Sequence, residues 1–266
     1  MTTPATPPAE YQLDNAWEHA RTRLAALELI HDPATTRYLE AIGVGPGWRC
    51  LEVGAGGGSI TRWLCDRVGA GGSVRAVDLD TRFVEALDAS NLTVDRLDLT
   101  TSELPQGAYD LVHARFVLCH IGAREQVLDG LVASLRPGGW LLIEDPSDHA
   151  DRAFGPKLHG EILTRISEGF VANGASSMSW GRTLPAQLQR RGLVEVAAES
   201  RVALVEGATP GTDFLRLTAV QLREQAMAAG TSADEIDEWQ ALLDTPGEWF
   251  GTWANVAAWG RRPAGA

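Results

Sequence analysis

Apolar positions along the chain recur with two different periods, and the two periods alternate. Trp48 to Val53 is a short run, apolar at Trp48, Cys50, Leu51 and Val53, that follows the helix-breaking glycines of Gly43-Val44-Gly45-Pro46-Gly47 and reads as a short buried strand. Ser59 to Val68 then carries Ile60, Leu64 and Val68 at helical spacing. Strand Ser73 to Asp78, helix Thr81 to Asp88, strand Leu92 to Leu97 and strand Tyr109 to His113 follow. Helix Ala123 to Leu135 is amphipathic through Val127, Leu128, Leu131, Val132 and Leu135, and the turn Arg136-Pro137-Gly138-Gly139 leads into strand Trp140 to Asp145. Short apolar strands alternating with helices predict βαβ units and hence a parallel sheet. Right-handed crossovers place helices on both of its faces.

The flanks break this rhythm. Asp14 is placed to cap a helix with Trp17, Ala20, Leu24 and Leu27 on one face, and Asp32-Pro33 to start a second,. Beyond Asp145, a longer helix is expected from Pro156 to Asn173, then helix Leu184 to Arg191, strand Val194 to Ser200, helical stretches around Thr212 to Ala229 and Ser232 to Leu243, and a last strand Asn255 to Arg261. The expected fold is α/β: a doubly wound, mostly parallel, Rossmann-like seven-stranded sheet with N-terminal helices and helical lid insertions. Within one domain, residues 1–10 read as a disordered tail, 11–46 as a helical cap, 47–146 as the ligand-binding α/β core, and 147–266 as the rest of the core with its lid insertions.

Composition narrows the partners. A net charge of −12 repels a phosphate backbone, so nucleic acid is not an expected substrate. No run approaches the roughly 18–20 apolar residues of a membrane span, and the N-terminus lacks a basic start followed by an apolar run, so a cytoplasmic location without membrane partners is expected. Cys50, Cys65 and Cys119 lie in apolar segments without paired spacing, which suits buried thiols rather than zinc ligands or disulfides. No metal-ligand spacing is evident. Lys157 is the single lysine and is expected in solvent. The alanine- and arginine-rich composition points to a GC-rich bacterial genome.

The most informative segment is Leu51-Glu52-Val53-Gly54-Ala55-Gly56-Gly57-Gly58-Ser59, at the junction of the first core strand and its helix. Glycines there let a ligand approach the backbone at the carboxyl edge of the sheet. The dinucleotide spacing fails, because it requires glycine or alanine where Ser59 stands,. The pattern acid-x-Gly-x-Gly-x-Gly, matched by Glu52, Gly54, Gly56 and Gly58, resembles the first motif of the class I S-adenosylmethionine-dependent methyltransferases, of the broad group that includes ubiquinone and menaquinone biosynthesis enzymes and natural-product tailoring enzymes. Four further segments extend the resemblance over about Gly47 to Asp145. It implies that Asp78 of Val77-Asp78-Leu79 accepts from the ribose hydroxyls with Leu79 against adenine, and that Asp98 accepts from the adenine amino group beside Leu99. Tyr109 to Arg115 resembles the strand whose end, at Ala114 and Arg115, passes under the methionine portion. Leu135-Arg136-Pro137-Gly138-Gly139-Trp140 resembles the turn before the fifth strand. Glu52, Gly54, Ala55, Gly56 and Gly58 complete the implied contacts, with Tyr11 and Trp17 in a segment that closes over the cofactor.

The implied cofactor is S-adenosylmethionine, whose activated methyl leaves the protein to supply alignment, dehydration and, for some acceptors, a base. His120, after the fourth strand, and His149, after the fifth, are candidates for base or substrate contact, with Asp145 and His159 behind them; none is singled out as the base. Trp17, Phe154, Phe170, Trp180, Trp239, Trp249, Phe250 and Trp253 come from the elements expected to wall a pocket for an apolar or aromatic small molecule, although core packing explains any one of them as well. A homodimer is left open. The expected activity is methyl transfer to oxygen, carbon or nitrogen of a small molecule in bacterial secondary or quinone-type metabolism. The alternatives are a protein of the same fold that uses the cofactor for cyclisation or elimination, and a regulatory binding protein.

Overall fold

The computed structural model describes residues 12–147, 154–172 and 174–265. Helix α1 (Ala20–Ile42) leads to β1 (Arg49–Val53), α2 (Ser59–Val68), β2 (Ser73–Asp78), β3 (Leu92–Arg96), β4 (Tyr109–Arg115), α3 (Arg124–Ser134) and β5 (Leu135–Ser147). Then come α4 (Lys157–Val171), α5 (Leu184–Arg190), β6 (Val194–Arg201), β7 (Leu204–Glu206), α6 (Thr212–Gln221), α7 (Arg223–Ala228), α8 (Ala233–Leu243), β8 (Trp249–Gly251) and β9 (Ala254–Arg261). Seven strands form one sheet in the order β3-β2-β1-β4-β5-β9-β6, with β9 antiparallel to both neighbours and the other pairings parallel. This is the expected doubly wound, mostly parallel sheet. The strand order reverses between β1 and β4, which opens a crevice at their carboxyl ends.

Both faces of the sheet are covered. On one, Cys50, Val74, Leu111 and Leu142 pack against Tyr38 and Leu39 of α1 and against Ile60, Leu64 and Val68 of α2. On the other, Leu51, Val53, Val112 and Leu141 meet Leu128 and Leu131 of α3 and Leu184 and Leu188 of α5. A third cluster lies outside the sheet: Ala26 and Ile30 of α1 join Ile162, Ile166 and Phe170 of α4, Phe214 and Leu215 of α6, and Ile236 and Trp239 of α8. Helix α1 therefore belongs to two cores, its first half to a helical layer and its second half to the sheet. The three cysteines are buried and free, and the Lys157 ammonium stands in solvent beside Glu161. Among the described residues, no helix is long and apolar enough to cross a membrane.

Three local expectations are corrected. The two N-terminal helices are one, running through Pro33; Asp32, which a cap would require, instead takes Arg115 Nη2 at 2.8 Å. The helix expected over Thr81 to Asp88 is a single turn at Val84–Ala86. The chain becomes extended at Leu87, whose side chain lies over Gly58, so packing against the glycine turn overrides helical propensity. Asp80 caps no helix there and holds the Arg82 guanidinium at 2.8 Å. The stretch from Thr212 to Ala229 divides at Leu222 into α6 and α7. The two-stranded sheet of β7 and β8 had no signal in the apolar pattern.

Candidate functional site

The turn after β1 is built by backbone conformation. Gly54, Gly56 and Gly58 all adopt positive φ (+68°, +52° and +91°), where side chains are disfavoured. A Cβ at Gly54 would overlap Val117 Cγ2, and one at Gly57 would overlap the Glu28 carboxylate. Glu28 uses that approach to accept from Ser59 N at 3.3 Å, and burial raises its pKa. Asp78 ends β2 with Oδ2 accepting from Gly56 N at 2.9 Å and Oδ1 from Asp80 N at 3.0 Å. Burial raises its pKa against these hydrogen bonds. A carboxylate has about four acceptor positions, so Asp78 keeps capacity for a ligand.

Around this turn opens a cavity of about 1120 Å³. That exceeds the ~300–1,000 Å³ of ordinary small-molecule sites, and so leaves room for a cofactor and an acceptor together. Its sheet-side half is lined by Glu52, Gly54 to Gly57, Asp78, Leu79, Asp98, Leu99, Arg115 and Val117. Leu79 is 49% exposed, an apolar side chain presented to the cavity without a protein cover. Asp98 Oδ1 is already turned onto the Thr100 amide and hydroxyl at 2.8 and 2.7 Å. The other half is helical, with Leu24, Leu27, His31, Ile166, Phe170, Phe214, Thr218 and Trp253.

Beneath the sheet-side half, His113 is fully buried between two carboxylates, Nδ1 at 2.7 Å from Glu52 Oε2 and Nε2 at 3.2 Å from Glu144 Oε1. Burial alone would lower its pKa, but Glu52 and Glu144 outweigh it and hold the imidazole up at about 9. Glu144 also accepts from Thr35 Oγ1 at 2.7 Å and Asn255 Nδ2 at 2.9 Å. Burial pushes its carboxyl up, yet His113, Arg115 and Thr35 together keep it below its ordinary value. Phe116, the residue after β4, stands at φ +54°, the left-handed region that side-chain-bearing residues adopt mainly where surrounding structure imposes it, often at functional sites.

Most of the residues anticipated from sequence meet at this cavity: Glu52, Gly54, Ala55, Gly56, Asp78, Leu79, Asp98, Leu99, Arg115 and His120. Two do not line it. Ala114 belongs to the packed core, because side chains alternate across a strand and Arg115 takes the cavity side. Gly58 caps α2 in a left-handed conformation under Leu87, so its part is to shape the turn. Tyr11 and His149 lie outside the described residues. His120 is half-buried with its ring edge-on to Phe170, centroids 5.2 Å apart; desolvation, with Arg23 adding to it, lowers its pKa to about 3, against a hydrogen bond with the Phe116 backbone.

His159 does not line the cavity. Nε2 faces the Gly251 carbonyl at 2.8 Å, and Nδ1 accepts from Trp239 Nε1 at 3.0 Å, which makes it a packing residue. Asp145 is buried under the cavity floor with Cys119 N at 3.4 Å from Oδ1. Of the eight aromatic side chains anticipated as walls, Phe170 and Trp253 reach the cavity, whereas Trp17 does not line it and stands half-buried, edge-on to His19. Trp239, Phe250 and Trp180 are core, while Phe154 and Trp249 face solvent. Glu28, His31, Phe116 and Phe214 were not anticipated, since they belong to no motif and converge only through tertiary packing.

Comparison with known proteins agrees with this geometry. A family model described as a methyltransferase domain matches residues 51–141. The chain is 27% identical over 247 residues to methyltransferase str3 of Strobilurus tenacellus, covering 89% of this chain and 84% of that protein. It is 25% identical over 183 residues to the ubiquinone/menaquinone biosynthesis C-methyltransferase UbiE of Stutzerimonas stutzeri, covering 62% and 70%. The solved structure of Haemonchus contortus phosphoethanolamine N-methyltransferase 2 in complex with S-adenosyl-L-methionine superposes with a TM-score of 0.58 at 18% identity, over 98% of this chain and 61% of that one, which shows the shared fold.

Proposed function

We propose, for a chain that is a class I S-adenosylmethionine-dependent methyltransferase, that its acceptor is a small, largely apolar or aromatic molecule held in the helical half of the cavity. The observation that carries this reading is the cavity itself: motif residues line one half of it, and Leu24, Leu27, Ile166, Phe170, Phe214 and Trp253 line the other. The cofactor supplies a methyl already activated on a sulfonium. The chain's own residues bind and orient. Asp78 takes the ribose hydroxyls, Leu79 and Leu99 flank the adenine, Asp98 takes its amino group, and Glu52 with the backbone of Gly54 to Gly57 borders the methionine portion. Phe116 and Val117 form the wall at which the halves meet, and the apolar helical half excludes water and aligns the acceptor. His120, held neutral, borders the acceptor. The likeness to a ubiquinone/menaquinone C-methyltransferase supports a setting in bacterial secondary or quinone-type metabolism.

Incubation with S-adenosylmethionine labelled in its methyl group, against a panel of one- and two-ring aromatic acceptors, tests this reading. Label in an organic extract, on a product one methyl heavier than its acceptor, is the expected result. Label confined to protein or nucleic acid, or no transfer to any panel member, contradicts it.

A further inference from the structure

Helix α1 sends a histidine into the apolar half of the cavity. His31 lines it, is 3% exposed, and its Nε2 has no hydrogen-bond partner among the described residues. A buried polar atom left unpaired is uncommon and calls for an explanation, and an absent ligand is one. The ring is wedged edge-on between Phe116 (centroids 4.9 Å apart) and Phe214 (6.1 Å). Its helix is pinned on either side: Arg201 Nη1 donates to the Ile30 carbonyl at 3.0 Å, and one turn on, Thr35 Oγ1 accepts from Arg115 Nη1 at 2.8 Å and donates to Glu144. The imidazole is thus held in place before any ligand arrives. Its position is also particular. Phe116 directly follows β4, the strand that borders the cofactor half, and its neighbour Val117 packs on Gly54 of the cofactor turn. His31, against the Phe116 ring, stands at the seam between the halves.

We propose that His31 determines acceptor specificity by hydrogen bonding, through Nε2, to a hydroxyl group on an aromatic acceptor at this seam. This rests on the acceptor-pocket reading above and adds to it the polar group that the acceptor carries. A hydroxyl satisfies Nε2 in either tautomer, as donor or as acceptor. Burial, reinforced by Arg115, holds His31 neutral at a pKa of about 3, so the imidazole meets the hydroxyl as an uncharged ring. Asn15 Oδ1, likewise buried and unpartnered among the described residues, lines the cavity too and offers a place for a second donor.

Two probes of matched shape decide the matter: p-cresol, and p-xylene, in which a methyl replaces the hydroxyl. Each is titrated into protein saturated with S-adenosylhomocysteine and followed by ligand-observed NMR. The wild type is expected to bind p-cresol at least tenfold more tightly than p-xylene. In His31→Phe the preference falls to threefold or less while affinity for S-adenosylhomocysteine stays within threefold of wild type, and His31→Gln, which keeps a hydrogen-bonding group, retains at least fivefold. In wild-type protein the His31 Nε2 ¹⁵N resonance shifts with p-cresol and not with p-xylene, a readout that needs no variant to fold. Equal binding of the two probes, binding of neither, an unmoved Nε2 resonance, or a preference undiminished in His31→Phe overturns the role of His31. If S-adenosylhomocysteine fails to bind the wild type, the cofactor reading itself falls; if it binds and the hydroxyl preference is absent, only the role of His31 does.

Discussion

At the scale of single residues, the site rests on polar groups whose partners are other parts of the site. His113 is the sharpest case: it is a cation between two buried carboxylates, Glu52 from β1 and Glu144 from β5. Replacing it with leucine removes the partner that Glu52 and Glu144 share and leaves Glu144 with Thr35, Asn255 and the Arg115 charge alone. The expected loss is about 3–5 kcal/mol, the cost of breaking a buried ion pair from one side, read from urea denaturation at pH 7. A loss below about 1 kcal/mol would show that His113 holds no ion pair there. Glu52 was legible in the sequence as the acid of a glycine motif, and Asp78 as the acid ending the second strand. His113 was not, because a histidine inside an apolar strand carries no mark of the two carboxylates that neighbouring strands bring to it. His31 was hidden for a related reason: on α1 it reads as one more residue of an amphipathic helix, and Phe116 and Phe214 reach it from more than 80 and 180 residues away.

At the scale of elements, the parallel core was the legible part. Helix α2 begins and ends as its apolar spacing predicts, and β2 spans Ser73–Asp78 as expected, since strands buried on both faces and helices buried on one leave unmistakable periods. The misreadings have tertiary causes. Pro33 looked like a helix start, yet contacts from Arg115 and Arg201 keep α1 continuous through it. The strands β7 and β8 are three residues each, too short for a period to show. The helical layer makes its own prediction at Gly169, where α4 crosses α7 so closely that a Cβ would overlap the Gln225 carbonyl oxygen. Gly169→Ala should force the two helices apart at about 1–3 kcal/mol, as overpacking does. Because α4 supplies Ile166, Ser167 and Phe170 to the cavity, acceptor turnover should fall while S-adenosylhomocysteine binding, measured by calorimetry, stays near wild type. Equal losses of both would mean that the two halves are not separable in this way.

At the scale of the whole molecule, two buried groups tie stability to pH with the same sign. Burial raises the Asp145 carboxyl to about 7, so the neutral form is favoured on folding; that contribution is complete below the unfolded value near 3.8 and is lost as pH rises through 7. His113, raised to about 9, contributes fully below 6.5 and loses its contribution as pH rises through 9. The melting temperature is therefore expected to fall from pH 7 to pH 9; below about 6.5, His31 and His120, both lowered to about 3, oppose Asp145, because the unfolded chain takes up their protons as pH falls,. The difference in melting temperature between wild type and Asp145→Asn should move in the variant's favour as pH rises from 5 to 7 and hold level from 7 to 9, a pattern that calorimetric scans across pH would reveal. An Asp145→Asn curve parallel to wild type below pH 7 would place the proton elsewhere. The cofactor site underlies every other role assigned to these residues, and it is tested by calorimetric titration of wild type and Asp78→Ala with S-adenosylhomocysteine. The predicted result is micromolar binding by the wild type, weakened in the variant by about 1.5–3 kcal/mol for the lost charge-assisted hydrogen bonds, roughly ten- to hundredfold in affinity. Failure of the folded wild type to bind, or equal binding by the variant, would contradict it.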